Sequence, residues 1–309
     1  MSRRPTEPED TPHVNADNDH RRRSLTEGAK GVLVLIGGAC TPHGHALRSF
    51  LDLTGARSGG RIIGLTTASA EEAESARAWT SVFRSAGAFN VEIPLFDRSD
   101  DTLDARLARS IRDAAGVFLG GGDQVKLVSA LSGTRTEAAI RELHHSGGTV
   151  CDTSAGAAAL TEMTMAGGEV DEEGNLVEQY IGPGLGLLGF DAIIDTHFSQ
   201  RRRLQRLFLV VASNRQLLGV GIDEDTALVV RGHRGEVLGA GGVTFVDGRD
   251  TVRFDNAGDL EKGRQLTLSH LRVGIVGTKY HLNLLERELD ELVTREASRH
   301  IIARPGSGL

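Results

Sequence analysis

Thr149-Val150-Cys151-Asp152-Thr153-Ser154-Ala155-Gly156-Ala157-Ala158-Ala159-Leu160 is the stretch on which the reading of this chain turns. Thr149–Asp152 has the length and apolar character of a buried strand, and Ala155–Leu160 has the small residues of a closely packed helix. A strand that turns at once into a helix belongs to a parallel sheet covered by helices, and here the turn carries Ser154. Two readings of Ser154 follow. A nucleophile elbow presents the hydroxyl at the strand end and sets the Ala155 amide near a helix N-terminus, where it can bind an oxyanion. An N-cap uses the same residue type only to begin the helix.

The rhythm continues on the N-terminal side. Val32–Ile36, Arg61–Leu65, Val91–Leu95 and Val117–Leu119 read as buried strands, separated by helical patterns at about 45–54, 71–86, 103–114, 124–132 and 134–146. The alternation predicts βαβ units and a mostly parallel sheet with helices on both faces, an α/β fold. Beyond a strand at Ala192–Asp195 and a helix at about 199–213, hairpin-spaced strands near 218–221, 227–230, 237–240, 243–247, 251–253 and 266–276 predict an antiparallel extension. A last helix is expected over 282–299, with Leu285, Leu289, Leu292 and Val293 on one face. Residues 1–30 read as a disordered polar tail and 31–309 as a single catalytic domain.

Composition narrows the function. The 309 residues carry 35 basic and 42 acidic side chains, a net charge of −7, which lacks the positive footprint of nucleic-acid binding. No run approaches the roughly 18 apolar residues of a membrane span, and residues 1–30 hold no apolar stretch like a secretory signal. Cys40 and Cys151, the two cysteines, sit in apolar strand-like surroundings and read as reduced thiols, hence a cytoplasmic protein. No His, Cys and carboxylate cluster at ligand spacing is visible, so neither metal nor cofactor is expected.

Four further groups invite chemistry. Gly120-Gly121-Gly122 follows a strand and opens a helix at Gln124. The Gly122 amide is a candidate oxyanion donor, with a phosphate loop and a plain turn as rivals. His197, after a strand end, is either a base within reach of Ser154 or a loop histidine. Glu169, Asp171, Glu172 and Glu173 form an acidic loop that either orients His197 or is simply solvated. Arg201, Arg202, Arg203 and Arg206 crowd a helix start, where cations are unfavourable, and read as a carboxylate clamp or a solvated basic face.

Gly-Gly-Asp-Gln at 121–124, Thr-Ser-Ala-Gly-Ala-Ala at 153–158 and Asp-x-His-Phe at 195–198 with Arg201, Arg203, Arg206 and Leu207 form an ordered set of motifs. Gly-Ile-Asp-Glu-Asp-Thr at 221–226 and Leu-x-Leu-x-x-Leu-Arg at 266–272 complete it. From about Gly31 to Leu284 the chain resembles the cyanophycinase family of serine peptidases, peptidase group S51, whose fold is related to class I glutamine amidotransferases. The resemblance implies Ser154 as nucleophile, His197 as base, Glu172 as the orienting acid, and Gly122 and Ala155 as oxyanion donors. It places Gln124, Asp195, Thr196, Arg201, Arg203 and Arg206 in the substrate pocket. Asp152 and Thr196 depart from it, standing where the family usually has Gly and Gln. The implied activity is release of β-Asp-Arg dipeptides from cyanophycin, a poly-aspartate with arginine on every side chain, through an acyl-enzyme. A homodimer is implied as well. The rivals are a dipeptidase of the same group acting on another isoaspartyl or aspartyl peptide and a noncatalytic amidotransferase-like binding protein.

Overall fold

A computed structural model describes residues 31–170, 176–253 and 268–289. The proposed tail 1–30 and the expected helix beyond 289 lie outside those residues.

Five strands form a parallel half-sheet in the order β1-β5-β4-β2-β3: Val32–Ile36 (β1), Ile62–Leu65 (β2), Val91–Glu92 (β3), Gly116–Leu119 (β4) and Thr149–Thr153 (β5). The sheet is mostly apolar because both faces are covered, so period-two alternation is absent: β1, Val-Leu-Val-Leu-Ile, is buried nearly throughout. Helices His45–Leu53 (α1), Glu72–Ser85 (α2), Asp101–Arg112 (α3), Gln124–Leu131 (α4) and Arg135–His145 (α5) make the crossovers. Their starts are set by side-chain caps: Asp100 accepts from the Thr102 and Leu103 amides, Asp123 from Val125 and Lys126, and Thr134 from Glu137. On one face Phe50, Phe83 and Phe118 are fully buried, with Trp79 centred 4.4 Å from Phe118.

The sheet continues from β1 through antiparallel strands Thr226–Arg231 (β10), Arg234–Gly239 (β11), His281–Asn283 (β16) and Glu288–Leu289 (β17). A second, four-stranded sheet has the order β15-β12-β9-β8, made by Arg272–Val276, Val243–Asp247, Leu218–Ile222 and Ala192–Thr196. The α/β expectation with an antiparallel extension therefore holds, but the extension divides between two sheets.

One expectation is corrected. Leu282 to Leu289 is not the start of a helix: Leu282 is fully buried in β16, Asn283 accepts from the Leu285 and Glu286 amides to close a turn, and Arg287 takes φ 63°. Pairing with β11 overrides the helical spacing of the leucines. Of the acidic group, Glu169 lies in strand Met163–Val170 (β6), which pairs with Leu176–Pro183 (β7) with two register shifts, and Asp171, Glu172 and Glu173 lie outside the described residues. Strands Val252–Arg253 (β13) and Leu268–Ser269 (β14), helix Ala155–Ala159 (α6) and helix Leu204–Ser213 (α7) complete the elements.

Candidate active site

Ser154 leaves β5 with φ 55° and ψ −116°, a strained conformation for a residue with a side chain. Its amide donates to the Ile36 carbonyl (2.9 Å), which locks the turn to the end of β1. The N-cap reading fails here, because the Ser154 side chain makes no capping bond to α6. Its Oγ instead lies 2.9 Å from His197 Nε2. Two glycine neighbours make this possible. A Cβ on Gly121 would stand 3.1 Å from Ser154 Cβ, and one on Gly38 would stand 2.2 Å from His197 Cε1, so bare backbone lines both catalytic candidates.

His197 follows β8, also in the left-handed region at φ 50°, and its amide donates to the Gly37 carbonyl (2.7 Å). The face of the imidazole thus rests on the Gly37-Gly38 turn at the end of β1. Its Nδ1 lies 2.6 Å from Glu224 Oε1. Glu224 sits on the turn between β9 and β10, within the Gly-Ile-Asp-Glu-Asp-Thr motif whose carboxylates the sequence reading left without a role. Glu172, Asp171 and Glu173 lie outside the described residues, and the Nδ1 position reserved for Glu172 is held by Glu224. Asp-Glu-Asp on a tight turn looks like any solvated turn. The signal available was its distance in the fold: the end of a strand beside β8.

Two backbone positions are expected to supply oxyanion donors. Gly122, at φ 145°, packs so closely on the 68–69 backbone that a Cβ would lie 2.2 Å from the Ala68 carbonyl oxygen. The Ala155 amide is the first of α6, and the first amides of a helix have no intrahelical acceptor.

The proposed pocket residues divide. Asp195, with side-chain exposure of 2%, accepts from Arg206 Nε (2.6 Å), from Arg206 Nη2 and from Arg203 Nη1 (3.0 Å), as well as from the Thr196 amide (2.8 Å). Arg203 also donates to the Thr196 carbonyl (2.7 Å). Burial pulls the Arg203 guanidinium down to about 10, with Asp195 opposing. Two of the four clustered arginines are therefore committed to an internal carboxylate. Thr196 is buried and uses its backbone, and Gln124 donates to the Met165 carbonyl. Arg201 is exposed and makes no side-chain bond to another described residue. Arg201 and Arg202 lie in a turn over 198–203, while Arg203 caps α7 and Arg206 is its third residue, so these two stand at the helix N-terminus, where Asp195 offsets their charge.

Asp152 is fully buried in β5, and neither carboxylate oxygen finds a partner among the described residues. Burial pushes its carboxyl well above the usual carboxylate range. Burial likewise raises the Cys40 thiol to about 12, and Cys40 and Cys151 are both free. Among the described residues no helix is long and apolar enough to cross a membrane, and no group of three or more His, Cys, Asp or Glu side chains is placed to hold a metal.

Fold and site together define a serine-type peptidase. The family model for Peptidase family S51 matches residues 33–238, and the chain belongs to that family. It is 35% identical over 279 residues to the cyanophycinase of Synechococcus elongatus, covering 88% of this chain and 85% of the relative. It is 36% identical over 262 residues to the cyanophycinase of Trichormus variabilis, covering 83% and 87%. A crystal structure of a peptidase from an acI-B1 Actinobacterium shares the fold, with a TM-score of 0.57 at 21% identity over 79% of this chain and 97% of the other.

Proposed function

We propose that this chain is a serine-type exopeptidase that hydrolyses cyanophycin to β-Asp-Arg dipeptides, with Ser154 as nucleophile, His197 as general base and Glu224 as the acid that orients it. The observation that carries the chemistry is the continuous contact chain from Ser154 Oγ to His197 Nε2 (2.9 Å) and from Nδ1 to Glu224 Oε1 (2.6 Å). With Glu224 accepting the Nδ1 proton, Nε2 keeps its lone pair and takes the proton of the attacking hydroxyl. Ser154 Oγ bonds to the scissile carbonyl carbon, and the oxyanion that forms faces the Gly122 and Ala155 amides. His197 then returns the proton to the leaving amine, and water cleaves the acyl-enzyme by the same route. The substrate class comes from the cyanophycinase relatives, which match most of the chain.

For recognition we assign Arg201 to the free arginyl carboxylate of the substrate, since Arg203 and Arg206 hold Asp195. Thr196, 4% exposed, offers no side-chain surface, so its departure from the family pattern gives no support to a different peptide substrate. Two free thiols agree with a cytoplasmic enzyme. A homodimer rests on the family resemblance, and light scattering of the purified protein tests it. The decisive assay is a panel of cyanophycin, β-Asp-Arg, β-Asp-Lys and α-aspartyl dipeptides with products identified by mass. Release of β-Asp-Arg from the polymer is expected, and turnover of a dipeptide alone would overturn the assignment.

A further inference from the structure

The contact chain crosses a junction. Ser154 ends a strand of the large sheet, His197 ends a strand of the small one, and Glu224 rides the turn by which β9 of the small sheet passes into β10 of the large. The 2.6 Å contact between His197 and Glu224 therefore depends on whatever fixes the His197 segment against that turn. Backbone contacts hold part of it: Phe198 donates to the Ile222 carbonyl (3.2 Å), and Asp225 donates to Gly38 (3.0 Å).

Two side chains do the rest. Asp223 Oδ1 accepts from the Ser199 amide (3.0 Å), two residues after His197, and Asp223 Oδ2 accepts from the Gly242 amide (3.1 Å) at the start of β12. The Asp223 carboxylate thus ties three segments together at the residue beside Glu224. From the other side, Gln200 Oε1 accepts from the Glu224 amide itself (3.1 Å). The ties are reciprocal, since the histidine segment supplies Gln200 to the acid turn and the acid turn supplies Asp223 to the histidine segment. Neither side chain contacts the imidazole in a hydrogen bond. Both are spent on orienting the two backbones that carry His197 and Glu224.

We propose that Asp223 and Gln200 are positioning residues that hold Glu224 on His197 Nδ1, an inference that rests on the reading of Ser154, His197 and Glu224 as the catalytic chain. An asparagine at 223 keeps one acceptor but turns an NH2 toward an amide N–H, so one of the two ties is lost and replaced by a donor facing a donor. The exposed Gln200 is removable without touching the core.

The test is a mutant cycle on the intact protein, reading kcat and KM for cyanophycin with Asp223→Asn, Gln200→Ala and Glu224→Gln, singly and combined. Coupled residues depart from additivity. Asp223→Asn is expected to lower kcat by about 10- to 100-fold and Gln200→Ala by about 3- to 10-fold, each leaving KM within about threefold. In the Glu224→Gln background both are expected to change kcat by less than about twofold, because the contact they support is already gone. Multiplying effects in the double variants, or a loss confined to KM, would overturn the proposal. A fall in Asp223→Asn activity matched by a fall in folded fraction would do the same if Gln200→Ala is silent. If Glu224→Gln itself is silent, the underlying catalytic reading fails instead.

Discussion

Replacing Glu224 with glutamine keeps the size of the side chain and removes its charge, which makes it the sharpest probe of the contact at His197 Nδ1. The carboxylate accepts the Nδ1 proton at 2.6 Å and so leaves Nε2 free to accept from Ser154. A glutamine that turns its NH2 to the ring favours the opposite tautomer, with the proton on Nε2, and the serine then has no base. A buried triad acid changed to its amide costs about 10⁴ in kcat. The Glu224 side chain is 35% exposed, so water replaces part of the lost stabilisation of the imidazolium. The expected loss is about 10³-fold in kcat, or about 4 kcal/mol, with KM changed by less than about threefold. The assay is initial-rate release of β-Asp-Arg at pH 7, alongside thermal unfolding to show that the fold survives. Asp171→Asn, Glu172→Gln and Glu173→Gln serve as comparators and should each be near neutral. A kcat for Glu224→Gln within tenfold of the parent would refute the reasoning, and a large loss in Glu172→Gln alone would return the role to that residue.

Ser154→Ala should lower turnover by about 10⁶ while leaving the unfolding transition in place, and a serine-directed fluorophosphonate should label the parent and not the variant. Gly38→Ala should nearly abolish activity, because its Cβ meets the imidazole at 2.2 Å in a backbone conformation with φ 107°; parental kcat would mean the ring is not seated there. Arg206→Met leaves Asp195 buried with only Arg203 and should destabilise by about 3 kcal/mol in urea, whereas unchanged stability with a raised KM would restore Arg206 to the substrate. Asp152 binds its proton more tightly folded than unfolded, so its contribution to stability falls as pH rises above about 4, by up to about 1.4 kcal/mol per pH unit until the raised folded value is reached. Asp152→Asn should therefore gain on the parent as pH rises above about 4, and urea midpoints that run in parallel for the two proteins would count against a raised buried carboxyl.

The parts of the fold legible in the sequence are those where one local rule governs. β1, β4 and β5 are short apolar runs closed by glycine or a small-residue helix, and each lies within a residue or two of its expected bounds. The strand-to-helix passage at Ser154 was legible for the same reason, although the sequence left elbow and N-cap both open, and it is the side chain's turn toward His197 that favours the elbow. The parts that were not legible are those where tertiary pairing overrules the local pattern. Leu285 and Leu289 have helical spacing, yet both are exposed, and Leu282 and Leu284, at strand rather than helical spacing, are the ones committed to the core. The hairpin at 163–183 carries paired glycines and bulges, which hide its alternation. The arginines at 201, 203 and 206 were read together as ligands for a substrate, because a sequence cannot display that one aspartate, eleven residues before Arg206, already absorbs two of them in the interior.

That Glu224 escaped the sequence reading has a reason that belongs to the architecture. Glu224 is 27 residues after His197, and Glu172, the acid implied by the resemblance, lies at a similar distance before it, so separation along the chain does not choose between them. In space the decisive fact is that β8 and β9 are parallel neighbours, with Thr196 opposite Ile222. Residues that follow two adjacent parallel strands emerge on the same edge, and so His197, one residue past β8, and Glu224, two residues past β9, meet there. The same edge of the large sheet delivers Ser154 after β5 and the glycine turns after β1 and β4. The chain from serine to acid is thus a product of strand ends in two sheets converging on one edge. Its precision rests on hydrogen bonds such as His197 to Gly37 and Ser154 to Ile36, which register both sheets against β1. A substitution that shifts β1 by one residue would move serine and histidine together, whereas one that shifts β9 would move only the acid. Loss of kcat at constant KM should therefore follow perturbations of β9 and its turn, and loss of both parameters should follow perturbations of β1.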